Sequence, residues 1–221
     1  MNLAGSLFSA SWHGLMLVLS LGCLFLIWRR APWKRLLDSS QLNLLLGFIV
    51  GLSLLWTMHI AVKPGLSLHL LGAMAACLTL GPWLGMLALA GALSAITFNG
   101  AIEWLAWPVN FVLMAVTPSI FAYGIQTVIE RWLPAHFFIY IFVISFAGAA
   151  LTAMLQGVVT SAVLVAAGAY SADFLLNDYL PYFFLLGFSE AWLSGAVVTL
   201  LVVYRPDWVA SFDDRRYLLN K

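Results

Sequence analysis

Charge is what this sequence has least of. Only 9% of its 221 residues are Asp, Glu, Lys or Arg, while 63% are hydrophobic and the mean hydropathy is +1.00. Soluble domains carry about 25% charged residues, so a charged, water-facing shell is excluded. Cysteine is nearly absent too. Cys23 and Cys77 each lie inside an apolar run and in no CxxC or Cys/His cluster, which excludes a disulfide framework and a zinc site. No Lys or Arg precedes the first apolar run, so the opening MNLAGSLFSASWHG lacks the positive start of a secretory signal, and Met1 is expected to be retained. HExxH, GxSxG, a Walker A motif, a Gly-rich phosphate loop and any Ser/His/Asp or paired intramembrane Asp arrangement are also missing. The chain is therefore not expected to be an enzyme, to hold a catalytic cofactor or to harness ATP by itself. Its few basic segments read as determinants of membrane topology, with no nucleic-acid surface.

What is present is a series of apolar runs, at about 10–28, 42–62, 66–81, 83–98, 108–127, 137–168 and 179–203. Runs of about 20 residues match a hydrocarbon core of roughly 30 Å, and lipid requires each to satisfy its own backbone. The fold expected is all-α, a polytopic helical membrane protein of about seven spans. Gly81-Pro82 breaks the third run from the fourth, and the count falls to six if these two form a re-entrant pair. Residues 1–205 then form a single helical bundle and 206–221 a short C-terminal tail. The sixth run exceeds one untilted span, and Gly148, Gly157 and Gly168 would let it bend or pack closely. Nine of the ten basic residues fall on one side of this layout, with only Lys63 on the other, which orients the chain N-out and C-in. The outer segments also carry Glu103, Asp173 and Asp178, a modestly acidic face. Trp12, Trp28, Trp33, Trp83, Trp104, Trp107, Trp132 and Trp208 sit near run ends as an aromatic belt does.

Polar side chains within these runs are the candidates for chemistry. Glu190 is the one ionisable residue well inside a run, where a charge costs at least about 2.5 kcal/mol; a cation path or latch and a packing carboxyl explain it equally well. Asn110 and Gln156 are intramembrane amides suited to interhelical hydrogen bonds. His69 opens the third run after Lys63-Pro64-Gly65, and its neutral imidazole is able to ligate a borderline transition metal or simply to pack at the interface. His59 lies about one helical turn before that loop and His13 starts the first run on the same side. His136 belongs to the opposite side.

Three stretches carry a family likeness. A loop His followed by Gly and then Gly-Pro appears as His69, Gly72 and Gly81-Pro82; an Asn-x-x-x-Met-x-x-x-Pro stretch as Asn110, Met114 and Pro118; and a Glu on the last helix followed by a small residue and Thr as Glu190, Gly195 and Thr199. In this order the chain resembles the CbiM/NikM family, the substrate-binding membrane components of cobalt and nickel energy-coupling factor (ECF) importers. The resemblance implies a bundle whose N-terminus tucks inward from outside. It further implies a planar nitrogen set for Ni²⁺ or Co²⁺, made by the terminal amine, the next amide nitrogen, an adjacent imidazole and the loop His, a set that also suits Cu²⁺. Here Asn2 stands where the family has its His, and Asn99 where many members carry a His before Gly. The set that remains is Met1, Asn2 and His69, with His59 or His13 as candidates for the missing imidazole and Asn99, Asn110 and Glu190 as supporting or coupling residues. The implied role is the substrate-specificity subunit of an ABC-type importer in a bacterial cytoplasmic membrane. Its implied partners are a transmembrane coupling subunit, ATPase subunits and a small accessory membrane protein. Asn2 and Asn99 keep open a divergent member carrying another solute or cation, and a non-transporting membrane scaffold would use the same polar residues to lock helices together.

Overall fold

Long apolar runs become helices because only intrasegment hydrogen bonds satisfy a backbone facing lipid. In the computed structural model, which describes residues 2–219, the principal helices are α1 (Ala10–Arg30), α2 (Ser39–Thr57), α3 (Ala73–Leu80), α4 (Pro82–Phe98), α5 (Trp104–Trp132), α6 (Ile139–Ala166) and α7 (Tyr182–Tyr204). All but α3 and the 17-residue α4 are long and apolar enough to cross a membrane. The protein is thus an all-α membrane protein. Its helix α1 leaves Leu17, Val18, Leu21 and Phe25 exposed on an apolar outer face, which lipid would cover.

The third run departs from the expected span. Its first part is strand β3 (Leu66–Leu68), and only the eight residues of α3 are helical, a rise of about 12 Å. Gly72 at φ 68° and Gly81 at φ 83° bracket that helix in a backbone region that L side chains seldom adopt, and Pro82 starts α4 at once. Every residue of α3 is buried. The second run also ends early, since α2 stops at Thr57 and the chain becomes strand β2 (Ile60–Lys63). Strand β1 (Asn2–Leu3) joins these two in a small antiparallel sheet of order β1-β3-β2.

The helix ends gather on two faces. One holds the sheet and the loops after α4 and α6, tied where the Tyr170 hydroxyl donates to the Pro64 carbonyl at 2.9 Å and the Lys63 ammonium sits 3.6 Å from the Phe174 ring. On the other, the Arg35 guanidinium donates to the carbonyls of Leu80 (3.3 Å) and Trp208 (3.2 Å), Ala210 N–H donates to the Thr79 carbonyl at 2.9 Å, and Arg216 pairs with Glu130 at 3.0 Å. The second face carries the basic residues that the sequence places together; Lys221 lies outside the described residues. β3, the 69–72 loop and α3 consequently run from the sheet face to the basic face, and α4 returns.

Glycines set the helix spacing. A Cβ at Gly157 would overlap the Phe183 ring, one at Gly195 the Phe146 ring, and one at Gly148 the end of Met74, so α6 packs closely on α7 and α3 as expected. Gly168, at φ 70°, follows the end of α6. Gly124 faces open space. Gly195→Ala is expected to lower stability by about 1–3 kcal/mol through overpacking. Gly124→Ala, which only removes unfolded-state freedom, should raise it by about 0.4–1 kcal/mol. Unfolding of the two variants in one detergent checks this, and equal shifts would mean that α6 and α7 are not in contact at Gly195.

Candidate metal site

The N-terminal segment reaches the interior as a strand because both of its edges find partners. On one side β1 pairs with β3, Asn2 opposite Ser67 and Leu3 opposite Leu66, and Ala4 N–H donates to the Gly65 carbonyl at 3.0 Å. On the other side Asn110 of α5 takes the place of a neighbouring strand. Its Oδ1 accepts Leu3 N–H at 3.0 Å, and its Nδ2 donates to the carbonyls of Leu3 (2.8 Å) and Ala106 (3.0 Å). The amide expected to bridge helices instead clamps the strand.

This strand delivers Asn2 to His69. His69 Nε2 lies 3.0 Å from Asn2 Oδ1, and both residues are buried, 3% and 8% exposed. His69 Nδ1 lies 2.8 Å from the carbonyl of Leu70, which can only accept, so Nδ1 carries a proton, and in the neutral form of the ring Nε2 then turns its lone pair toward Asn2. In that form the two acceptors are reconciled by a cation between them or by an amide turned to present its NH₂ group, and in a doubly protonated ring by an Nε2–H donated to Asn2 Oδ1. Donor atoms at about 2.0–2.1 Å from one ion and at right angles are ~2.9 Å apart, close to the separation here.

The loop that carries His69 is held from behind. The Trp56 ring lies 4.9 Å from the imidazole at 36°, and its Nε1–H donates to the Leu71 carbonyl at 3.2 Å. Glu190 of α7 accepts N–H from Leu71, accepts Gly72 N–H at 3.2 Å on each oxygen, and accepts the Ser194 hydroxyl at 3.4 Å. A carboxylate at the N-terminal end of α3 is also favoured by the helix dipole. These bonds tie the Glu190 carboxyl of α7 to the His69 loop and to the start of α3. Gln156, in contrast, serves α5: Pro118 lacks an N–H, the preceding turn Val112–Val116 widens to a π-helix, and Gln156 donates to the Leu113 carbonyl.

The remaining candidates lie elsewhere. His59 is exposed, with Nδ1 3.1 Å from the Thr57 carbonyl, on a cleft of about 670 Å³ lined also by Asn2, Lys63, Gly65, Gly100 and Glu103. His13 is partly buried, its Nε2 donating to the Gly5 carbonyl at 3.0 Å and its ring edge-on to Phe8. Asn99 is the exposed C-cap of α4 and is not among the cleft-lining residues. His136 accepts from Phe138 N–H, one turn past the basic end of α5. The Met1 amine lies outside the described residues. Among the described residues no three His, Cys, Asp or Glu side chains gather as a metal cage, so any metal held here must draw on backbone, amide or terminal groups beside His69. Trp56 was not singled out in the sequence; its only signal was a Trp one turn from His59.

Fold and site together define an integral membrane protein that folds its own N-terminal strand against a buried histidine. The chain matches the CbiM family model, described as the cobalt uptake substrate-specific transmembrane region, over residues 2–208, and it belongs to that family. Its fold is shared by the crystal structure of a truncated transition metal transporter, with a TM-score of 0.80 and 17% identity over 92% of this chain and 99% of that one. A second crystal structure, of a transition metal transporter, gives 0.78 and 18% identity over 91% of this chain and 92% of that one. No curated protein sequence matches the chain.

Asn110→Ala removes both bonds that hold Leu3. At about 1 kcal/mol each, their loss should speed hydrogen exchange at the Leu3 and Ala4 amides by at least about tenfold and leave the core of α4 protected. Unchanged exchange at Leu3 would show that β3 alone holds the strand.

Proposed function

We propose that this chain is the substrate-specificity membrane subunit of an ECF-type importer, capturing a divalent transition metal of the cobalt or nickel class at the outer face. The observation that supports the reading is the buried contact of His69 Nε2 with Asn2 of the N-terminal strand. The proposed ligands are the Met1 amine, the Asn2 backbone nitrogen and His69 Nε2, and the Asn2 side-chain oxygen takes the position of the family imidazole. His59 and His13 stand outside this set, since His59 is exposed and turned to the Thr57 carbonyl and His13 is turned to the Gly5 carbonyl, whereas His69 is the buried imidazole at Asn2. The cleft shared by Asn2, His59 and Glu103 is the entry path.

Orientation follows from the basic face, which the positive-inside rule puts in the cytoplasm of a bacterial inner membrane. That face, with residues 29–38 and 205–219, is the surface offered to a coupling membrane subunit and to ATPases. The chain has no nucleotide-binding motif of its own. A small accessory membrane protein is a further partner of this reading. An amide oxygen in place of an imidazole makes the site harder and weaker for nickel, and this favours, as a second reading, a member tuned to another divalent cation.

Calorimetric titration of Ni²⁺ and Co²⁺ into protein with a free native N-terminus tests the reading. Binding of one equivalent is expected. His69→Ala, and separately an extension ahead of Met1, should weaken it beyond the roughly 10–100-fold typical of outer-shell changes. Asn2→His should tighten it, and replacing His59 and His13 together should leave it unaltered. If the extended and His69→Ala proteins both bind as the native one does, the assignment is wrong.

A further inference from the structure

The hydrogen bonds around His69 converge on a single peptide unit. Its carbonyl, from Leu70, accepts the Nδ1–H of His69 at 2.8 Å, and its N–H, from Leu71, donates to the Glu190 carboxylate. We propose that Glu190 is a positioning residue for the metal site that acts on the His69 ring through this peptide, as a carboxylate–peptide–histidine relay. The proposal rests on the reading of His69 Nε2 as a ligand.

A peptide is a resonance-coupled plane, so its two ends are not independent. A negative charge drawing on the N–H moves electron density onto the carbonyl oxygen. That oxygen becomes a stronger acceptor, pulls harder on the Nδ1 proton, and leaves Nε2 the better donor to a cation. Metal-binding histidines are commonly tuned in this manner by a carboxylate or carbonyl bonded directly to the second ring nitrogen. Here both are present in series, the carbonyl on the ring and the carboxylate behind it.

The surroundings keep the effect from being dissipated. Glu190, Leu71 and His69 are 2%, 2% and 3% exposed, so water screens none of them well, and successive hydrogen bonds in such a setting polarise one another. The groups that meet the carboxyl are the Leu71 and Gly72 amides and the Ser194 hydroxyl, each placed to donate to it. Trp56 holds the next carbonyl, that of Leu71, which stops the loop from rotating the 70–71 peptide away. Aim and electronic strength of the imidazole are thereby set from one side chain that never touches it.

A carboxylate that only pinned the start of α3 would make the same bonds, and the two roles differ at the ring. Nitrogen-15 spectra of the histidines in metal-free native protein should place the His69 proton on Nδ1, in a resonance downfield of the other ring N–H signals. A proton on Nε2 overturns the proposal without any variant being made. In Glu190→Gln, compared at matched thermal stability, the His69 Nδ1–H signal should move upfield and the Ni²⁺ dissociation constant should rise by roughly tenfold. An unmoved ring signal overturns the proposal even if affinity falls, because lost affinity alone is what a pin would produce. Should native protein fail to bind Ni²⁺ while the ring signal still moves in Glu190→Gln, the relay stands and the proposed substrate is what fails.

Discussion

A backbone that leaves the helix inside a membrane protein must find a partner for each N–H and C=O that it uncovers. Residues 2–4 and 66–72 form such a stretch, and the rest of the structure is arranged to meet that demand. Asn110 takes both backbone groups of Leu3, Trp56 takes the Leu71 carbonyl, and Glu190 takes the Leu71 and Gly72 amides. Three helices contribute one side chain each. An irregular segment so thoroughly bonded is the place where a membrane protein can present a ligand atom, and His69 is what this one presents.

The same bonds organise the molecule from end to end. Helix α3 is held at its start by Glu190 and at its end by Arg35, which also grips the Trp208 carbonyl on the basic face. Small residues make this possible. Ala73, Ala75, Ala76 and Cys77 let α3 lie buried on all sides, and Gly85 of α4 sits against the Cys77 backbone. The short helix is therefore a strut joining the His69 loop to the basic face. Its eight residues could not cross lipid alone and need not, because neighbouring helices surround them.

Much of the fold was legible in the sequence. The runs that became α1, α2 and α4 to α7 were found within a few residues, since length and hydropathy suffice for helices that face lipid. The third run was not, because LSLHLLGAMAACLTL is apolar enough as a whole to read as one short helix, and the alternation in LSLHL, the one strand signal, covers only its first few residues. Only Gly72 and Gly81 hinted at the break, through a backbone conformation that the letters do not record. In the site, His69, Asn110 and Glu190 stood out as polar residues in apolar surroundings. Their roles did not, because each has a partner far away in the chain, Asn110 and Glu190 in backbone groups and His69 in the Asn2 side chain. Trp56 was hidden among tryptophans that sit at helix ends for interfacial reasons. Asn2 was visible as a departure from the family's histidine, but its contact with His69 appears only when β1 is paired with β3.

The central claim is that one imidazole and the N-terminal strand make the metal site. Pulsed electron paramagnetic resonance of the chain loaded with one equivalent of Cu²⁺, with its native N-terminus free, tests it most directly. Modulation from the remote nitrogen of a single imidazole is expected, together with directly bonded backbone or amine nitrogen, and the imidazole signal should vanish in His69→Ala. Modulation from two imidazoles, or a single one that persists in His69→Ala, would contradict the account.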